Sequence, residues 1–573
     1  MASRAGNKLH IRLILCLIII GAVLIIARLY WLQVAHSAYY AEKADRQYAS
    51  PSSGLFDRGT IYFTSKTGAR VAAAAIKDGF VLAINPEKLV DAQSTYSKLS
   101  SVTPIDKAKF MASAAKKEDP YEELADNLDQ AAGDKIVAMK ITGVIVSKDA
   151  WRYYPTGSLA AQTVGIEGFA TGTVQTGQYG LEREYNSALS RNDNDLSMNL
   201  FAQLFSGVSN VLEGQSLEGD IVTSIEPSIE GYLDKVLADT KAKWQSDSIG
   251  GIIMDPKTGA IYAMDSLPSF DPNNRSAVTD SSVFSNPLVQ NVYEMGSIIK
   301  PLTMAAGIDS GAVTAASTYD DTGFIIVDGR KISNFDGKAR GVIPMQQVLS
   351  QSLNVGAAHI ALTMGSTTMK RYFLNYGLGS VTGIDLPSEQ AGLVRNLTNG
   401  RDVNYATAAF GQGIALTPLE TVRALSAIAN GGYLVTPHVA SEIDYQVGGF
   451  HTINSGPGLR VFSSTTADTV TNMLINVADK AISTAHPDIS KPHYSIAAKT
   501  GTAQIADPAG GGYYADRYLH SFFGYFPAHD PRFIVFLYQV YPKNVQYASE
   551  TLTDPFDEIA DYLIGYYNIA PDR

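Results

Sequence analysis

Cysteine is almost missing from this chain: Cys16 is the only one, and it sits inside an apolar stretch near the start. Everything after residue 16 therefore lacks a disulfide, a thiol nucleophile and a cysteine metal ligand. Histidine is scarce too, nine residues scattered along 573 with no HExxH or comparable ligand set, so neither a metal nor a cofactor is expected. No GxxxxGK[ST] phosphate loop occurs, which fits a compartment without ATP. Basic clusters are absent as well. With 56 acidic against 45 basic residues the net charge is −11, which argues against a nucleic-acid partner.

Long apolar runs are lacking with one exception, Leu13 to Ala27, which resumes after Arg28 and continues to Val34. With Arg28 snorkelling and Tyr30 and Trp31 at the interface, the run reaches about 22 residues, enough for one crossing of a bilayer. Arg4, Lys8 and Arg12 precede it, so the N-terminus is expected in the cytoplasm and the rest of the chain outside. The rival reading is a cleaved signal peptide ending near Ala35 to Ser37.

What is present describes a folded protein, 45% hydrophobic and 18% charged, long enough for two or more domains. The expected divisions are a cytoplasmic tail at 1–12, a membrane anchor at 13–34, a first domain at 35–225 and a second at 226–573. A Lys/Glu/Asp-rich stretch near 104–135 reads as a solvated insertion, a surface helix pair. Leu189 to Gly219 is polar and rich in Gly, Ser and Asn, as a connection would be. A helix is expected from Pro227 to Trp244. Strands are expected at Ser248 to Met254, Ala260 to Met264, Tyr494 to Gln504, Phe522 to Phe526 and Phe533 to Val540. Their uneven alternation with helices predicts an α+β domain.

Three short signatures follow in order: Ser297-Ile-Ile-Lys300, Ser352-Leu-Asn354 and Lys499-Thr500-Gly501-Thr502. Each is duplicated elsewhere, as Ser113 to Lys116, Ser197 to Asn199, Lys66 to Gly68 and Lys257 to Gly259, so context must decide. Ser113 precedes the charged run KKEDPYEE and reads as surface. Lys257-Thr-Gly259 follows Asp255-Pro256 between two apolar runs, the composition of a hairpin turn. Lys66-Thr-Gly68 likewise reads as a turn entering a strand. Lys499 instead lies within a strand, where Gly501 is costly unless another backbone approaches closely; a peptide substrate added along that edge is one such backbone.

Ser297 and Lys300 share a helix face, and Pro301 requires the helix to begin close to Ser297. With no histidine to assign, Lys300 is the candidate general base for a Ser297 nucleophile, active only if burial and a neighbouring cation such as Lys499 lower its pKa. The backbone N–H groups of Ser297 and Thr502 are candidates for an oxyanion hole. Ser352 and Asn354 read either as a helix cap or as part of the reacting cluster.

These residues and their surroundings resemble the penicillin-binding transpeptidases, specifically the class B, monofunctional type. YEMGSIIKP from Tyr293 resembles the YEPGSxxKP of that family, IMDPKTGAIYAM with SFDPN its DPxTGxIxAM…DPN segment, and NYGLGSVTGIDLPSE, FGQGIALTPLE and AIANGGYLVTP its further landmarks. RGTI from Arg58, RYYPTGSLA from Arg152 and GQYGLEREY from Gly177 resemble its pedestal motifs. The resemblance implies a mixed pedestal domain and a serine β-lactamase-like domain, an antiparallel sheet with helices. It implies that Ser297 is acylated by the penultimate D-Ala of a peptidoglycan stem peptide, with Lys300 as base and Ser352 as proton relay to the leaving amine. Asn354 would hold the donor's peptide group, and Lys499, Thr500 and Thr502 its carboxylate, beside Gly501. β-Lactams would trap the same serine. A membrane-embedded glycan polymerase and other wall-synthesis proteins are the implied partners, and division the implied role. Departures are Met295 for the usual Pro, Ala498 where Gly often precedes KTG, and TIYFTSKTG after Gly59 in place of an Asp-Arg-containing form. The competing readings are a carboxypeptidase or β-lactamase-like hydrolase and a non-catalytic scaffold of a wall-building complex.

Overall fold

Two long buried stretches of chain set the centre of the fold. Phe533–Val540 and the second half of Tyr513–Phe526 are buried almost without a break, as strands covered on both faces must be. Five strands form one antiparallel sheet: β1 (Ser248–Met254), β2 (Ile261–Leu267), β3 (Ala497–Ala506), β4 (Tyr513–Phe526) and β5 (Phe533–Val540), in the order β3-β4-β5-β1-β2. The turn joining β1 to β2 is the expected one, with the Asp255 carboxylate accepting the Lys257 N–H at 2.8 Å. The strand expected at Phe522 to Phe526 is longer than the sequence predicts, since β4 already begins at Tyr513.

Helix α1 (Pro227–Trp244) starts on Pro227, capped by Glu226, whose carboxylate accepts the Ile229 N–H at 2.8 Å. It packs with α6 (Ser549–Tyr567), the Tyr232 and Tyr562 rings stacking 4.0 Å apart. Phe556 of α6 lies on Phe522 of the sheet, ring centroids 4.6 Å apart. Also packed into this core are α2 (Lys300–Asp309), α3 (Asn354–Met364), α4 (Pro418–Ala429) and α5 (Ser464–Asn476). The TPLE landmark is the capping box of α4: Thr417 Oγ1 accepts the Glu420 N–H at 3.0 Å, and Glu420 accepts the Thr417 N–H at 3.4 Å.

This computed structural model describes residues 57–169, 175–191, 218–446, 449–453, 456, 458–482 and 491–573. The expected anchor, Cys16 and the Ser197 to Asn199 signature lie outside the described residues. Among the described residues no helix is long and apolar enough to cross a membrane. The chain divides into two compact units, and the division does not follow the boundary expected at 225: Arg58–Ala75 and Arg152–Arg191 belong with the large C-terminal unit. The physical reason is direct bonding: Ile61 and Tyr62 pair with Ile221 and Val222, and Gln162 Nε2 donates to the Pro268 and Val283 carbonyls, while a buried ion cluster joins the two segments to each other. Arg58 Nε and Arg152 Nε donate to the two oxygens of Glu182 at 2.5 and 2.6 Å, and Arg58 also reaches the Glu182 carbonyl, Asn186 and Ser190. All three charged side chains are buried, so each needs the others. The RGTI, RYYPTGSLA and LEREY landmarks are thus three parts of one site.

The smaller unit includes Ile76–Trp151. Its helices Ala92–Ser100, Lys107–Ala114 and Gln130–Ala138 are each capped by the preceding aspartate, Asp91, Asp106 and Asp129. The stretch near 104–135 departs from the solvated helix pair expected of it. It contains the strand Glu122–Leu128 and contributes Phe110, Leu124, Leu128 and Ile136 to a separate hydrophobic core with Phe80, Leu82, Ile84 and Leu99.

Candidate active site

Ser297 stands on a 3-10 turn, Gly296–Ile299, that runs directly into α2, with Pro301 in its first turn. The turn brings Ser297 Oγ to 3.0 Å from Lys300 Nζ. Across the cleft the segment before α3 supplies the remaining ligands of that amine. Ser352 holds a left-handed φ of 55°, a conformation unfavourable for serine, and its carbonyl lies 2.5 Å from Nζ. Ser352 Oγ is 3.2 Å away and Asn354 Oδ1 2.9 Å away. Ser352 and Asn354 do not cap α3: its N-cap residue is Leu353 without a side-chain cap bond, and the Val355 N–H is instead taken by Asn334 Oδ1 at 3.1 Å. The cap reading therefore gives way to the cluster reading.

The four contacts of Lys300 fix what it can do. The Ser352 carbonyl and Asn354 Oδ1 only accept, so a neutral amine that spends its two hydrogens on them has a single lone pair left, to accept from the hydroxyl of Ser297 or of Ser352. Asn354 is oriented by its own donation from Nδ2 to the Ser333 carbonyl at 3.1 Å. Lys300 is 1% exposed. Burial, aided by the like charge of Lys499, pulls its pKa well below the usual lysine value. Lys499, on β3, is likewise buried and lowered to about 7, and donates to the Thr500 carbonyl at 2.9 Å. Among the described residues neither lysine has a carboxylate partner. Ser297, Ser352, Asn354, Lys499, Thr500 and Thr502 line one cleft of about 730 Å³. Lys300 lies beneath it.

Two glycines explain how the cleft closes on the serine. Gly296 has φ 65°, and a Cβ there would lie 2.7 Å from the Thr502 carbonyl oxygen, so β3 presses directly on the turn that carries Ser297. A Cβ on Gly501 would lie 2.3 Å from Ser521 Oγ and 2.7 Å from the Met295 carbonyl oxygen. Ser521 Oγ donates to that same carbonyl at 2.8 Å. The tightest neighbours of Gly501 within the chain are therefore the Ser521 hydroxyl and the backbone that leads into Ser297.

The duplicated signatures go elsewhere. Ser113 and Lys116 both bind Glu122, at 2.7 and 2.5 Å. Lys66 to Gly68 and Lys257 to Gly259 are turns between strands. Sequence reasoning missed several cleft residues: Phe335 and Tyr547, whose rings meet edge to face 6.0 Å apart, Arg340, and the segment Gln546 to Ser549. No local pattern marks them, because they come from loops separated by some two hundred residues from one another.

Residues 249–561, more than half of the chain, match the penicillin binding protein transpeptidase domain. Stage V sporulation protein D of Bacillus subtilis (strain 168) is 28% identical over 497 residues, 85% of this chain and 75% of that protein. The peptidoglycan D,D-transpeptidase FtsI of Escherichia coli (strain K12) is 26% identical, covering 97% of this chain and 91% of its own. Among solved structures, penicillin binding protein 3 of Mycobacterium tuberculosis in complex with aztreonam aligns with TM-score 0.69 at 23% identity, over 91% of this chain and 98% of that one. Penicillin binding protein 2X of Streptococcus thermophilus aligns with TM-score 0.73 at 21% identity, over 90% and 81%. Serine, buried amine and cleft thus sit in the part of the chain that the family match spans, and the chain belongs to the penicillin-binding protein transpeptidase family.

Proposed function

We propose that this enzyme cross-links peptidoglycan as a serine D,D-transpeptidase of septal wall synthesis, and that β-lactams acylate the same serine. The observation that carries the reading is the Lys300 amine, buried, drawn toward neutrality and 3.0 Å from Ser297 Oγ. Ser297 Oγ attacks the carbonyl of the penultimate D-Ala of a stem peptide while its proton passes to Lys300 Nζ. The bond to the terminal D-Ala breaks, and the departing amine takes a proton through Ser352 Oγ. An acceptor amine from a second strand then attacks the ester, forming the cross-link and freeing the serine. No ATP is consumed, because the cleaved D-Ala-D-Ala bond supplies the driving force.

Asn354 Nδ2 has a second hydrogen for the donor's peptide carbonyl. Lys499, Thr500 and Thr502 hold its terminal carboxylate, and the N–H groups of Ser297 and Thr502 receive the oxyanion. The first apolar run anchors the chain, N-terminus inside and catalytic part outside, where a membrane-embedded glycan polymerase is the expected partner. The test is full-length protein in detergent with a stem-peptide donor and a D-amino-acid acceptor. Transfer to the acceptor, lost in Ser297→Ala, is the expected result. Rapid turnover of penicillin, or hydrolysis without transfer, would replace this reading with a hydrolase.

A further inference from the structure

His520 does not line the cleft, yet it is built into the strand beside it. It lies on β4 directly opposite Thr502 of β3 and is fully buried. Its two ring nitrogens hold one segment from both sides. Nε2 lies 3.0 Å from the Gln546 carbonyl and Nδ1 2.8 Å from Thr551 Oγ1. A carbonyl can only accept, so the proton sits on Nε2 and Nδ1 accepts the Thr551 hydroxyl. Burial keeps the ring neutral, with its pKa lowered to about 4. Between these two clamps lies Ala548, whose N–H donates to Thr502 Oγ1 at 3.0 Å.

That last bond has a polarity. With an acceptor position of Thr502 Oγ1 occupied by a backbone N–H, the threonine's own hydrogen is left to donate, and Thr502 lines the cleft. We infer that His520 is a positioning residue: by clamping residues 546–551 it presents Thr502 to the cleft as a fixed hydrogen-bond donor for the carboxylate of the substrate or β-lactam. The inference rests on the proposed function, in which Thr502 meets that carboxylate. It makes the selectivity for an anionic ligand depend on a side chain that never contacts the ligand.

The test compares benzylpenicillin with its methyl ester as acylating probes of the full-length protein in detergent, reading second-order acylation rates at Ser297. His520→Leu, which removes both clamps, should slow the carboxylate probe by about tenfold, the worth of one charge-assisted hydrogen bond, and the ester by less than about threefold. His520→Gln keeps a donor for the Gln546 carbonyl and should recover most of the lost preference. In a Thr502→Val background the His520→Leu change should no longer alter the ratio of the two rates. Thr551→Val, which removes one clamp only, should shift the ratio the same way by a smaller factor, and it carries the test if His520→Leu does not fold. Equal slowing of both probes, or an undiminished effect in the Thr502→Val background, overturns the inference while leaving the proposed function standing. Wild-type protein that neither probe acylates at Ser297 overturns both.

Discussion

Ser113 and Ser297 each stand three residues before a lysine on a helical stretch, and the two tetrads end in opposite states. At Ser113 a carboxylate lies within reach of both side chains: Glu122 takes the serine hydroxyl at 2.7 Å and the Lys116 ammonium at 2.5 Å. Lys116 remains 58% exposed, and the ion pair raises its pKa. At Ser297 the amine is buried among neutral oxygens, and its pKa falls. The spacing is the same in both places, but the side chains meet directly only at Ser297. Only the removal of water and of a counter-charge brings the lysine's pKa down.

The sharpest way to break this contrast is to remove each serine. Ser297→Ala should abolish covalent labelling by a fluorescent penicillin, whereas Ser113→Ala should leave the labelling rate unchanged; labelling that survives in Ser297→Ala would end the assignment. Lys300→Met should slow acylation by about 100- to 10,000-fold, the range of general-base catalysis. Because the pKa of Lys300 is lowered, the wild-type acylation rate should reach its plateau well below the ordinary lysine pKa, as a pH profile would reveal.

A smaller effect is expected at Gly501. Gly501→Ala places a methyl against Ser521 and the Met295 carbonyl and should cost about 1–3 kcal/mol of stability by overpacking, read by denaturant unfolding, with slower acylation as the serine turn shifts. Of similar size per pH unit is the term of the second lysine. Lys499 titrates near 7 when folded and near 10.5 when unfolded. Between those values the unfolded chain holds a proton that the folded one lacks, so stability rises with pH across that window and is flat below it. Lys499→Met should remove about 1.4 kcal/mol per pH unit of that rise in unfolding measured across the window. The smallest effect is a null: Glu122→Gln frees Lys116 of its carboxylate but leaves it in water, so Ser113 should stay unlabelled.

Much of the frame was legible because single residues dictate it. Pro227 fixes the start of α1, and the apolar runs of β1 and β5 have the bounds expected of them. The strand Glu122–Leu128 was not legible, since its sequence EELADNL buries only Leu124 and Leu128 and shows no alternation. Ser297 and Lys300 could be paired from their spacing. The strained φ of Ser352, which aims its carbonyl at Lys300, has no local signature. Gly501 announced a close approach but not the partner, because Ser521 and Met295 come from a neighbouring strand and a distant turn. His520 was invisible for the same reason, its partners lying 26 and 31 residues on.

The lowered pKa of Lys499 has a consequence for measured affinities. A carboxylate arriving beside an amine that titrates near 7 draws a proton onto it, so ligand binding at neutral pH takes up protons from the medium. Heats of binding should then vary with the ionisation enthalpy of the buffer, and affinity for anionic ligands should strengthen as the surroundings turn mildly acidic.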